Sequence, residues 1–105
     1  MHRQTKFTAI PAMVKAAVAL RDSIDGHCCC ILCGSPEAQA NAHIARRSQG
    51  GMGVEENIVA LCPRCHYKLD EGKDRDALMD RVIDYIKTFY PDWTPESVTY
   101  RKWGD

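Results

Sequence analysis

Apolar residues recur at helical spacing near the beginning of the chain. One series consists of Ile10, Val14 and Val18, and a second series beside it of Met13, Ala17, Leu20 and Ile24. Pro11 suits a first helical turn, where its missing N–H costs no hydrogen bond. Asp25-Gly26 is a turn signal that ends the pattern. The spacing therefore predicts a helix within residues 1–26 that buries the side carrying these residues.

A second helical pattern follows Asp74, a plausible N-cap. Its apolar positions are Leu78, Val82, Ile86 and Phe89, with Ile83 and Tyr85 beside them. Pro91 stops this helix. The tail that follows carries Trp93, Tyr100 and Trp103, more aromatic residues than a disordered end usually has. We expect this tail to pack back on the domain.

The stretch between the two helices favours short strands. Residues 38–45 predict one strand and residues 57–61 another, whereas residues 48–53 form a loop because three glycines stand in four positions. Pro63 can open a short helix that Gly72 closes. The expected fold class is α+β, in one domain over residues 1–105. That domain has an N-terminal helix (1–26), a central core (27–73) and a C-terminal helix with its tail (74–105).

Composition narrows the function classes. No apolar run approaches the ~20 residues of a membrane helix, and Lys15 and Arg21 interrupt the apolar region nearest the N-terminus. We therefore expect no membrane segment, no signal peptide and a reducing, cytoplasmic location. The formal net charge is +0. This balance argues mildly against a non-specific DNA binder, whose affinity comes from phosphate neutralisation, but it allows a local basic surface.

The six cysteines favour metal ligation over disulfides in such a location. Cys30 and Cys33 form one Cys-x-x-Cys pair, and Cys62 and Cys65 form another. Two such pairs complete a closed tetrahedral four-sulfur site, which predicts structural Zn²⁺. A shift of the first ligand to Cys29 stays open, as does the alternative that these are buried free cysteines.

A histidine, an asparagine and a second histidine are interleaved with these two cysteine pairs. His43 precedes the glycine-rich loop, Asn57 follows it, and His66 stands directly after Cys65. In this order and spacing the chain strongly resembles the HNH endonuclease family, in the form common in bacteriophage and mobile-element genomes. The resemblance covers roughly residues 30–72.

The resemblance implies a ββα-metal core in which two strands and a helix hold one divalent ion against the scissile phosphate. His43 would match the general base, His66 a metal ligand, and Asn57 the residue that braces the glycine loop and orients the base. It also implies DNA as substrate and, for a phage protein, the host bacterial cytoplasm. A packaging or recombination protein such as a terminase is the partner that this family would suggest.

Three further features bear on the site. Asp70 lies four residues after His66, on the same helix face, and is a candidate second ligand for the catalytic ion (Mg²⁺, Mn²⁺ or Ni²⁺); an exposed acid is the alternative. Arg46 and Arg47 are candidate phosphate contacts, or else solvated loop charges. Ala42 departs from the family pattern, because many members have a metal-binding histidine or aspartate there.

The most favoured function is metal-dependent DNA cleavage, by nicking or double-strand cutting. A non-catalytic zinc module that binds nucleic acid or protein is the alternative, and Ala42 and the neutral net charge favour it. A disulfide-rich secreted factor is a third possibility, which the missing signal segment disfavours.

Overall fold

A computed structural model describes residues 7–100. Its elements are α1 (Ala12–Arg21), β1 (Ser23–Ile24), β2 (His27–Cys28), β3 (Gln39–His43), β4 (Ile58–Leu61), α2 (Pro63–Glu71) and α3 (Arg75–Lys87). Short 3₁₀ turns lie at Arg47–Gln49, Glu55–Asn57 and Glu96–Val98. The strands form two antiparallel pairs, β1 with β2 and β3 with β4. The predicted α+β class is confirmed. Within residues 7–100, no helix is long and apolar enough to cross a membrane.

The β3–β4 ribbon and α2 together form a ββα unit. All four residues of β4 are buried, as its uninterrupted apolar sequence requires. The strands pair from Gln39 opposite Leu61 to His43 opposite Ile58, with a register shift between Ala40 and Ala42. Asn41 is the extra residue of this bulge. A bulge bends its strand and redirects neighbouring side chains. Since this bulge comes directly before His43, it can set the direction of the His43 side chain.

The hydrophobic core lies between this unit, α3 and the C-terminal tail. Among its buried members are Ala42, Ile44, Val59, Leu61, Leu69, Val82, Ile86, Trp93 and Val98. The Trp93 indole Nε1 donates to the carbonyl of Glu56 at 2.7 Å, so its polar end is satisfied as well. The prediction that the tail packs back is confirmed for Trp93. Trp103 lies outside the described residues.

The N-terminal helix is shorter and less buried than the apolar pattern predicts. α1 ends at Arg21, and the chain turns through Asp25 and Gly26, both with positive φ, into β2. Met13, Leu20 and Ile24 each expose more than half of their surface, so the prediction that this series is buried is wrong. The ten-residue helix α1 buries only a narrow face, centred on Val18. A domain this small has no further surface against which the second apolar series could pack.

The C-terminal helix is also shorter than its pattern. α3 ends at Lys87, and Phe89 is exposed beyond that end. Asp74 is the N-cap residue by position, but its side chain accepts no capping hydrogen bond.

One buried carboxylate ties α1 to β4 and α3. The Asp22 carboxylate accepts from Arg21 Nε at 2.8 Å, from the Ala60 backbone N–H at 2.9 Å and from the Tyr85 hydroxyl at 2.5 Å. Arg21 in turn donates to the carbonyl of Ile58 at 2.6 Å. This network holds the N-terminal helix against the strand that leads into the second cysteine pair.

Candidate active site and metal centre

The two cysteine pairs lie on two different backbone turns that meet. The first pair is in the turn after β2, where the Gly34 N–H donates to the carbonyl of Cys30 at 2.8 Å and Gly34 has a φ of 79°. The second pair opens α2: Cys62 is the N-cap, and its Sγ accepts from the Cys65 N–H at 3.4 Å. β4 ends directly before Cys62, so the ββα unit itself carries half of the cluster.

The donor set fits a zinc ion. The Sγ atoms of Cys30, Cys33, Cys62 and Cys65 all lie within 4.8 Å of one another. Tetrahedral coordination with Zn–S bonds of about 2.3 Å separates the sulfurs by roughly 3.8 Å. The Cys33 and Cys62 sulfurs are 3.6 Å apart. Four sulfurs at these distances fit a closed structural zinc site.

The cluster contains Cys30 and not Cys29. The Cys29 thiol instead donates to the carbonyl of His27 at 3.3 Å. All six cysteines are free thiols. Burial raises the pKa of the Cys30 thiol, but backbone hydrogen bonds, first that at Cys62, outweigh it and lower this pKa to about 7. Cys30 is therefore readily available as the thiolate that a metal requires.

A cleft of about 510 Å³ lies between the end of β3 and α2. The candidate site residues that line it are His43, His66, Asp70, Arg46 and Arg47, together with Asn41. Five residues predicted from separate parts of the sequence thus face one open space. Asn57 is the exception, because it lies behind this surface in the interior.

His43 is half-buried at the last position of β3, and its ring is held by a backbone carbonyl. Its Nε2 lies 2.8 Å from the carbonyl oxygen of Thr8. Because a carbonyl only accepts, Nε2 carries the proton and Nδ1 keeps the lone pair. Burial lowers the pKa of His43; the Thr8 carbonyl opposes this, and the nearby Arg47 and His66 lower it further. The imidazole is therefore neutral at pH 7.

Asn57 is fully buried and connects the segment after His43 to the glycine loop. Its Oδ1 accepts from the Ala45 N–H at 2.7 Å, and its Nδ2 donates to the carbonyls of Ala45 and Met52 at 3.1 and 2.9 Å. The loop is packed closely here, since a Cβ at Gly51 would lie 1.8 Å from the Ala45 oxygen. One carboxamide thus satisfies backbone groups on both sides of the loop.

His66 and Asp70 share one face of α2 at the cleft. The His66 Nε2 lies 3.5 Å from the Asp70 carboxylate, at the i, i+4 spacing that the sequence indicates. These two side chains offer a nitrogen and an oxygen donor. Among residues 7–100, the cysteine cluster is the one set of three or more histidine, cysteine or acidic side chains close enough to hold an ion. An ion at the His66–Asp70 pair would therefore take most of its ligands from elsewhere.

The two arginines lie at the edge of the cleft. Arg46 donates from Nη2 to the carbonyl of Asp70 at 3.1 Å, which ties the loop after β3 to α2. Arg47 donates from Nε to the Thr8 hydroxyl at 3.2 Å and is exposed. Their positive charge therefore borders the same space as His43 and His66.

Ala42 is fully buried in the core, on the other side of β3 from the cleft. Position 42 therefore contributes no donor. Its neighbour Asn41 lines the cleft, and among the described residues its buried Oδ1 has no hydrogen-bond partner. Sequence reasoning missed both Asn41 and Thr8. The bulge that places Asn41 is not visible in the residue pattern, and Thr8 lies 35 residues from the histidine it contacts.

The fold and the site define a ββα domain with a four-cysteine cluster and a histidine-containing cleft. Residues 30–72 match the family described as HNH endonuclease. The resemblance inferred from the cysteine, histidine and asparagine order is confirmed over these residues, which are called the HNH segment below.

A curated relative also matches part of the chain. It is named Anaredoxin, from Nostoc sp. (strain PCC 7120 / SAG 25.82 / UTEX 2576), and is 36% identical over 45 residues. The match covers 42% of this chain and 59% of that protein. The chain thus spans about three fifths of the length of this relative.

Proposed function

We propose that this protein is a metal-dependent endonuclease that hydrolyses DNA phosphodiester bonds in the cleft. The observation that carries the proposal is the convergence of His43, His66 and Asp70 on one open surface within the HNH segment. A purely structural zinc module has no need of these three side chains at one opening.

In this proposal His43 is the general base. Its Nε2 is engaged by the Thr8 carbonyl, so Nδ1 is the atom that takes a proton from the attacking water. Its lowered pKa keeps the ring neutral and able to accept a proton at pH 7. General base catalysis of this kind contributes roughly 10²- to 10⁴-fold to a rate. Asn57 supports the base by fixing the backbone that follows it.

His66 and Asp70 would hold the catalytic divalent ion, which is Mg²⁺, Mn²⁺ or Ni²⁺. With two protein donors, the remaining positions fall to phosphate oxygens and water, an arrangement that Mg²⁺ commonly adopts. When bound, such an ion supplies stabilisation of the negative charge on the phosphate and the leaving oxygen. Because Ala42 faces the core, the family's usual ligand at that position has no replacement there.

Arg46 and Arg47 would contact phosphates beside the scissile bond. The formal net charge of +0 leaves little long-range attraction for DNA. A partner that supplies DNA affinity, such as a phage packaging terminase or a recombination protein in the host cytoplasm, therefore forms part of the proposal. A pull-down with the full chain that recovers no such protein would count against this part.

A non-catalytic zinc module is the second candidate, and the core-facing Ala42 is the observation that favours it. In one form of this second candidate, the four-cysteine cluster binds iron and not zinc. Four thiolates suit iron as well as zinc. A colourless protein with one zinc per chain excludes the iron form, whereas visible absorption that bleaches on reduction would establish it.

Incubation with supercoiled plasmid tests the function. Zinc-loaded protein is incubated with Mg²⁺, Mn²⁺ or Ni²⁺ and, in parallel, with no added metal. We expect conversion to nicked or linear DNA that depends on the added ion, and the ratio of the two products reports nicking against double-strand cutting. DNA binding without cleavage in the presence of any of these ions would instead support the non-catalytic zinc module.

A further inference from the structure

The ring of His43 is held by a residue far outside the HNH segment. Thr8 precedes His43 by 35 residues and lies outside the matched residues 30–72. Although it is near the beginning of the described chain, Thr8 is only 2% exposed. Its carbonyl oxygen is 2.8 Å from His43 Nε2 and its hydroxyl accepts from Arg47 Nε at 3.2 Å. One buried residue therefore contacts two side chains that line the cleft.

The segment around Thr8 is pressed against the glycine loop. The Gly53 N–H donates to the carbonyl of Phe7 at 3.0 Å. A Cβ at Gly53 would lie 2.0 Å from the carbonyl oxygen of Ala9, so the two backbones touch where no side chain fits. Residues 7–9 are thus packed along the loop that follows His43.

An aromatic pair closes this arrangement from the other end of the chain. The rings of Phe7 and Tyr100 stack with centroids 4.4 Å apart and planes 11° from parallel. The Tyr100 N–H donates to the carbonyl of Gly50 at 2.7 Å. The two flanks of the HNH segment therefore meet over the glycine loop, and each hydrogen-bonds to it.

We propose that residues 7–9, secured by the Phe7–Tyr100 stack, are a positioning element of the active site. The Thr8 carbonyl selects the Nε2-protonated tautomer of His43 and aims Nδ1 into the cleft. The catalytic consequence rests on the proposed nuclease function, whereas the tautomer does not. A free ring would populate both tautomers and several orientations, and a misplacement of about 1 Å can cost roughly 100-fold in rate.

The test loosens the segment without touching the cleft. Phe7→Ala removes the stack, and Phe7→Tyr restores it. Phe89→Ala is the matched control, because Phe89 is 45% exposed against 42% for Phe7 and lies away from the cleft. Tyr100→Ala loosens the same pair from the other flank and replaces Phe7→Ala if that variant does not fold. All variants are made in the full, zinc-loaded chain.

Ring ¹⁵N chemical shifts of His43 are the first measurement. We expect an Nε2-protonated ring in wild type, Phe7→Tyr and Phe89→Ala, and averaged tautomer shifts in Phe7→Ala. An Nδ1-protonated ring in wild type, or unchanged shifts in folded Phe7→Ala and Tyr100→Ala, would overturn the proposal. Because this readout needs no DNA, it decides the positioning role even if wild type cleaves nothing and the proposed function fails.

Steady-state cleavage is the second measurement. For Phe7→Ala we expect kcat to fall about 10- to 100-fold with KM nearly unchanged, since the base is misdirected while the phosphate-binding residues remain. Phe7→Tyr should recover the wild-type kcat. A rise in KM with unchanged kcat would mean that the segment binds DNA and does not position the base.

Discussion

Replacing Asp22 by asparagine should destabilise the protein far more than its single-atom change suggests. The carboxylate is buried and accepts from Arg21, the Ala60 N–H and the Tyr85 hydroxyl. A carboxamide has one accepting oxygen, so its NH₂ group faces donors and leaves at least one of them unsatisfied. Arg21 also loses its counter-charge in a side chain that is only 10% exposed.

The magnitude follows from these losses. A hydrogen bond to a charged group contributes about 1.5–3 kcal/mol, and a buried donor left without a partner costs about 1–3 kcal/mol. Breaking a buried ion pair by removing one partner costs about 3–5 kcal/mol, and the remaining Arg21 bond to the Ile58 carbonyl keeps the estimate at the lower end. We therefore expect Asp22→Asn to lower the free energy of unfolding by about 3 kcal/mol. That is a large part of the roughly 5–15 kcal/mol typical of a domain.

Urea unfolding of the zinc-loaded protein, followed by tryptophan fluorescence, measures this change. Asp25→Asn is the matched control: it makes the same substitution three residues away, at an exposed turn with a φ of 52° that asparagine tolerates. We expect the control to change stability by less than about 0.5 kcal/mol. A loss below about 1 kcal/mol for Asp22→Asn would refute the view that this network joins α1 to the ββα unit.

Three further predictions follow from the site. Cys30→Ser should lose zinc and with it up to about 10–16 kcal/mol of folding free energy, so that circular dichroism shows an unfolded chain. The control Cys29→Ser should retain one zinc per chain by elemental analysis. Asn57→Ala should cost about 2–4 kcal/mol in urea unfolding, because it leaves the backbone groups of the loop unsatisfied in the interior; a loss under 1 kcal/mol would contradict its bracing of the loop. Cleavage should fall as protonation removes the base. Burial lowers the pKa of His43 from its usual 6.5, so kcat/KM should fall on the acid side with a midpoint below pH 6.5. A midpoint above pH 7 would contradict the buried environment of His43.

Local patterns predicted the centre of this molecule well. The apolar run that ends at Leu61 became β4, and the proline after Cys62 opened α2, because both depend on short-range chemistry. The two Cys-x-x-Cys pairs predicted the cluster because the spacing itself is the constraint. Choosing Cys30 over Cys29 needed only the two-residue gap, and the structure agrees.

The sequence was least informative where distant segments meet. Helical spacing in α1 could not show that Leu20 has no surface to pack against, because that depends on how much of the ribbon the helix covers. The contact of Thr8 with His43 has no period and no motif, since a backbone carbonyl can come from any residue. The bulge at Asn41 likewise reflects pairing with a strand some twenty residues later.

The most direct test of the account compares His43→Ala with His27→Ala in metal-dependent plasmid cleavage. His27 is an exposed histidine on β2, hydrogen-bonded to the Pro36 carbonyl and absent from the cleft lining, so it controls for loss of an imidazole elsewhere. With zinc content and folding equal, we predict that His27→Ala cuts as wild type does and that His43→Ala loses at least about 100-fold in kcat. Cleavage by His43→Ala at the wild-type rate would contradict the assignment of the base and of the cleft as the site of hydrolysis.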